Sequence, residues 1–188
     1  MSDLTNYGTG YPTYTLITDD QVAGANKKFL DFFNAAGTDK RIILLGWYVI
    51  IKTDVAVTGA LGVRFDLYRT NTVGTGGTAA LYKSPLPNAT TISPRDTRYP
   101  ALPSGITARS VPTGGATIDH YLTRTYAFPE ETNTAGTLTQ LINVLDDNDS
   151  VGPIVLNQGE GIYIQQGAVA SVNSFAHEII FGVIDDYQ

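Results

Sequence analysis

The chain has no cysteine, one methionine, one tryptophan and two histidines. Without cysteine there can be no disulfide scaffold, thiol nucleophile, zinc finger or iron–sulfur cluster. Charge is scarce as well, at 16% of residues against a typical quarter. Lys and Arg number 12 and Asp and Glu 18, so the net charge is −6. Attraction to phosphate comes from Lys and Arg, so this balance excludes a general nucleic-acid binder. The longest apolar run, Ile42 to Ile51, has ten residues, about half of what a membrane helix needs. The opening residues MSDLTNYGTGY carry neither the basic nor the apolar region of a signal peptide, which predicts synthesis in a cytoplasm without secretion. Threonine and glycine stand in place of charge, with 24 Thr and 19 Gly. At 43% apolar and 10% aromatic the chain is not disordered. Its 188 residues predict one domain, 1–188, large enough to bury a core without staples.

The pattern is nearly all β. Val63, Phe65 and Leu67 alternate with Arg64, Asp66 and Tyr68, which is the strand period. Ile118 to Phe128 is rich in Tyr and Thr, as strands are. Gly161 to Gln166, Phe175 to Asp185, Thr13 to Thr18 and Lys28 to Asn34 read as further strands, separated by Gly and Asn turns. Leu138 to Leu145 fits either a strand or two helical turns, and its surroundings favour the strand. Together with Arg41 to Thr53 this makes some eight strands, which predicts a β-sandwich of the single jelly-roll form.

Two segments fall outside that pattern. From Ser84 to Ala116 there is no period, and six of the nine prolines lie there. So long a structureless loop is uncommon in a compact domain. Arg95, Arg98 and Arg109 against Asp96 make it +2, leaving −8 for the rest of the net −6. It reads either as a solvated insertion or as a stiff arm that docks on an acidic surface. Residues 1–12 form a second candidate arm, with Tyr7 and Tyr11 as aromatic anchors and Tyr14 just beyond it.

The run RIILLGWYVIIKT, Arg41 to Thr53, is apolar on both faces of a regular strand. One face reads Ile43, Leu45, Trp47, Val49, Ile51 and the other Ile42, Leu44, Gly46, Tyr48, Ile50. A sandwich strand normally turns one polar face to water, and an exposed apolar row marks an interface. The candidate interface is therefore Ile42, Leu44, Tyr48 and Ile50, which predicts a homo-oligomer, with a trimer the expected state. A chain terminus laid over the second face would explain the same run.

Catalytic groupings are sparse. No GxSxG elbow is present, and His120 and His177 sit among apolar residues at strand spacing, which suits packing better than catalysis. VGTGGTAA lacks the Gly-Lys-Ser/Thr of a phosphate loop. Asp146, Asp147 and Asp149 form a solvated turn or a weak Ca²⁺ site, without the Gly and distal Glu of an EF-hand. Glu130, Glu131 and Glu160 show no pairing that would mark a glycosidase. These readings predict no enzyme and no required cofactor.

Two stretches carry a resemblance. In KKFLDFFNAAGTDKRIILLGWYVIIKTDVAVTG followed by VRFDLYRTNTVGTGGTAA, an Asn-ended apolar strand, a Gly turn, a long apolar strand and a GGT turn follow one another. IVLNQGEGIYIQQGAVASVNSFAHEIIFGV joins a glycine–acid–glycine turn to a late strand. Both are similar to small jelly-roll proteins of tailed-phage virions. The resemblance implies a capsid decoration or auxiliary protein on the virion surface, without enzymatic activity, bound to a major capsid protein. A capsid-forming coat protein and a receptor- or carbohydrate-binding head-fibre or tail module are the alternatives.

Overall fold

The computed structural model describes residues 10–18, 20–52, 62–79, 92–94, 98–113, 118–127, 139–145, 153–168 and 173–186. For 52, 79, 93, 94, 119–121 and 139–145 the backbone alone is described. The described residues form strands and no helix. In chain order the strands are β1 (Thr13–Ile17), β2 (Gln21–Val22), β3 (Lys28–Asn34), β4 (Lys40–Lys52), β5 (Val63–Thr70), β6 (Thr78–Ala79), β7 (Ser93–Pro94), β8 (Ile106–Ser110), β9 (Ile118–Ala127), β10 (Thr139–Leu145), β11 (Ile154–Leu156), β12 (Glu160–Gln166) and β13 (Ser174–Asp185). Within the ambiguous stretch 138–145, Thr139–Leu145 is strand.

The strands pair into two antiparallel sheets, and the protein is an all-β sandwich. The seven-stranded sheet runs β10-β4-β13-β1-β7, with β11 also on β4 and β2 on β13; the six-stranded sheet runs β6-β8-β3-β12-β5-β9. β13 is the spine of the first sheet, paired with β4 from Ser174↔Lys52 to Asp185↔Lys40. β10 and β11 share one edge of β4: the chain leaves it after Leu145, opposite Trp47, and rejoins at Ile154, opposite Leu44.

Alternation of apolar residues gives each sheet a dry inner face. Tyr14, Leu16, Trp47 and Phe181 from one sheet meet Phe29, Phe32, Phe65 and Ile164 from the other in a single core. Its rings interlock across the sheets, with Phe32 against Phe181 at 4.7 Å and Phe65 against Phe175 at 5.0 Å between centroids. Each such buried side chain contributes about 1.5–3 kcal/mol relative to exposure.

The proline-rich segment differs from expectation. It is not structureless through 84–116, because β7 and β8 lie inside it. β7 pairs with β1, at the edge of the seven-stranded sheet, where a proline without an N–H is tolerated. The Tyr14 hydroxyl donates to the Pro100 carbonyl at 3.1 Å. β8 then pairs with β3 in the other sheet. The segment therefore spans from one sheet to the other rather than projecting as a free arm. At the N-terminus, Val183 N–H donates to the Pro12 carbonyl at 3.0 Å, so the described end of the proposed arm is bound to the body.

Candidate functional site: the two outer faces

Regular alternation fails in the middle of β4. Opposite Ile180 and Phe181 the register moves from Gly46 to Leu44, so Leu45 is an extra residue. Such a β-bulge moves the following residues to the other face. Ile42 and Leu44 therefore point inward on one side of it, and Trp47, Val49 and Ile51 on the other; all five are buried. Ile43, Tyr48 and Ile50 face outward, and these three and Leu45 are half-buried. This corrects the candidate interface. Ile42 and Leu44 are core residues, 0% and 3% exposed, while Tyr48 and Ile50 keep their outward place. The Tyr48 ring lies back over Gly46, where a Cβ would stand 2.9 Å from Tyr48 Cε2.

β13 supplies the neighbouring outward residues Glu178, Ile180 and Gly182. Tyr11 packs on Gly182, whose missing side chain leaves the ring its place; any Cβ would overlap it. The residues just before β1 thus cover one end of this apolar face, and burial pushes the Tyr11 hydroxyl pKa up. Tyr7 and Arg95, also expected at interfaces, lie outside the described residues, as do Glu130, Glu131 and the acidic stretch at 146–149. Arg98 is exposed.

The outer face of the six-stranded sheet was not singled out by the sequence. Two cross-strand rows run over it. Arg109, Asp31, Tyr163 and Tyr68 are successive neighbours on β8, β3, β12 and β5. Lys28, Gln165, Asp66 and Arg124 are successive neighbours on β3, β12, β5 and β9. Lys28 shares the face because a second bulge, opposite Ile164 and Gln165, displaces Phe29. Its ammonium stands 4.8 Å from the centre of the Tyr163 ring, a cation–π distance.

Both aspartates are buried, Asp31 at 1% and Asp66 at 2% exposed. Asp31 Oδ1 accepts the Gly74 N–H at 3.1 Å, and Arg109 Nη1 donates to the Gly76 carbonyl at 3.3 Å. These neighbours thus hold the glycine-rich turn down on the sheet. Arg109, expected to dock on a partner, sits on β8 and holds this turn. Burial pushes the Asp31 carboxyl pKa up, against the Gly74 hydrogen bond and the Arg109 and Lys28 charges, which pull it down. Tyr163 is pushed up to about 12 by burial first, then by Tyr68 and Asp66. Asp66 accepts from Arg124 Nε at 2.6 Å and forms an ion pair with Arg64 Nε at 3.0 Å. A tertiary fold is needed to see these arrangements; the one sequence signal was a lone Asp inside each of two apolar strands, FLDFF and VRFDL.

Between the faces lies His177, fully buried. Trp47 Nε1–H donates to its Nδ1 at 3.2 Å, which places the imidazole proton on Nε2. Phe29 and Phe65 stand edge-on at 5.0 and 4.9 Å. Burial pushes its pKa down to about 3, so it is neutral and structural. Of His120 the backbone alone is described, in β9. Glu160 is engaged in a turn: its Oε2 accepts from Arg69 Nη1 at 2.7 Å and from Asn157 N–H at 2.8 Å. Arg69 also donates to the Val155 carbonyl at 2.9 Å, tying the two sheets at that end. Among the described residues no three His, Asp or Glu side chains gather to hold a metal, and no helix is long and apolar enough to cross a membrane.

Comparison with known proteins gives no match: no family model fits the chain, and no curated protein or solved structure is significantly similar to it.

Proposed function

We propose that the chain is a single jelly roll that works by binding, as a virion structural protein of the capsid decoration or auxiliary type. The observation that carries the fold part is the pairing order. Taking the eight strands expected from the sequence pattern as B to I in chain order, one sheet reads β1-β13-β4-β10, or B-I-D-G, and the other β3-β12-β5-β9, or C-H-E-F. That order is what two interleaved Greek keys would give, and it supports the jelly-roll reading. The role is supported by the resemblance of the NQGEG turn and its flanking strands, and by an apolar row on the outer face of the B-I-D-G sheet. Sheet faces turned to water are polar, so such a row suits contact between copies, and a trimer is the proposed state.

The test is assembly. Light scattering on purified protein at micromolar concentration is expected to give a discrete oligomer, and a stable monomer would sink the oligomer. Co-sedimentation with preformed phage heads lacking decoration is expected to show saturable binding. Self-assembly into shells would move the reading to a coat protein.

A further inference from the structure

We infer that the outer face of the six-stranded sheet, centred on Arg64, Arg124 and Tyr126, docks an acidic protein surface. The charge distribution comes first. Among the described side chains this face carries Lys28, Arg64, Arg109 and Arg124 against Asp31 and Asp66. It is net +2 in a chain of net −6, so the remainder carries −8. Cations gathered on one face of an acidic chain steer that face toward a partner of opposite sign.

Geometry makes the face more than a patch. Arg64 and Arg124 come from adjacent strands and converge on one carboxylate, that of Asp66. The carboxylate is 2% exposed while the two arginine side chains remain 41% and 39% exposed. Asp66 thus fixes the direction of both guanidinium groups without hiding them. Gly167 lies under Arg64, where a Cβ would stand 3.0 Å from Nε, so its missing side chain leaves the arginine its place. A pre-oriented arginine loses less freedom on binding a carboxylate. Tyr126, 48% exposed, is the cross-strand neighbour of Arg64. Exposed Tyr beside Arg is the pairing that interface hot spots favour. A pleated sheet face offers the broad surface that a protein partner meets, whereas small ligands prefer concave sites.

The inference rests on the reading of the chain as a binding protein and holds for any acidic protein partner, virion or not. It is tested with immobilised poly-L-glutamate as the probe, with alginate and duplex DNA in parallel. The wild-type chain is expected to bind poly-L-glutamate at low salt, and less tightly as salt rises. Arg64→Gln with Arg124→Gln is expected to weaken binding about tenfold. Lys40→Gln with Arg41→Gln changes the net charge equally on the other sheet and is expected to leave binding unchanged. Tyr126→Ala, at an exposed position, is a second variant of the same face and is expected to weaken binding without loss of fold by circular dichroism. Equal loss in both double variants would show a net-charge effect and overturn the inference. So would tighter binding to alginate or DNA, or no binding to poly-L-glutamate. Such a failure leaves the shell-binding experiment standing, which separates the two readings.

Discussion

The outer face of the seven-stranded sheet presents Ile43, Tyr48, Ile50 and Ile180, and the opposite face presents Arg64, Arg109, Arg124 and Lys28 around two buried aspartates. The first has little internal hydrogen bonding to satisfy, and what covers it, Tyr11 on Gly182, comes from a neighbouring stretch of chain. The second is stitched by its own ion pairs and by a turn clamped from below. An apolar face gains free energy from whatever excludes water, with little regard to partner. A charged face gains it only from groups placed to match. One sandwich therefore carries one apolar outer face and one charged outer face, and the two will respond to different perturbations.

The core they share sets the largest effect. The unfolded His177 binds a proton below pH 6.5, and the folded one only near 3. Stability is therefore expected to fall as pH drops through that window, by roughly 5 kcal/mol in total. Denaturant titrations from pH 7 to 4 should show this slope, flattened in His177→Gln. Asp31, on the charged face, acts with the opposite sign. Its raised pKa stabilises the protonated fold at low pH, and that contribution is lost as pH rises above the ordinary 3.8. Asp31→Asn is expected to remove this component while leaving the histidine slope intact.

The next effect distinguishes the two sides of β4. Ile42→Ala removes a fully buried side chain and is expected to cost about 2–5 kcal/mol. Ile50→Ala, on the outer face, is expected to cost well under half as much in the monomer and to shift the oligomer equilibrium instead. Equal losses in chemical denaturation would contradict the bulge. On the other face, Asp66→Ala leaves two guanidinium groups facing each other, and a loss of about 1–3 kcal/mol is expected in the same assay. The smallest effect belongs to the cover. Tyr11→Ala uncovers Gly182 at a partly exposed site and is expected to cost about 1 kcal/mol or less, with faster proteolysis before β1 as the sharper readout.

All eight strands expected from the sequence are present. The faces of β4 were assigned wrongly for one reason. Period-two counting assumes a regular strand, and the extra residue at Leu45 inverts the faces of the residues between it and the strand's start, Ile42 and Leu44 among them. The proline-rich segment hid β7 and β8, which are two and five residues long and draw their regularity from β1 and β3 rather than from their own sequence. The Arg64–Asp66–Arg124 group was illegible, because Arg124 is brought to Asp66 by a strand 58 residues away in sequence.

The divided edge of the seven-stranded sheet has a use of its own. β10 pairs with β4 up to Leu145 and β11 from Ile154, so neither pairing depends on the number of residues that join them. Closure entropy grows slowly with length, about 0.6 kcal/mol for each doubling. A foreign peptide spliced between these two residues would be presented from the sandwich with its scaffold intact. In an oligomer it would appear once per copy, at fixed spacing, a natural platform for multivalent display.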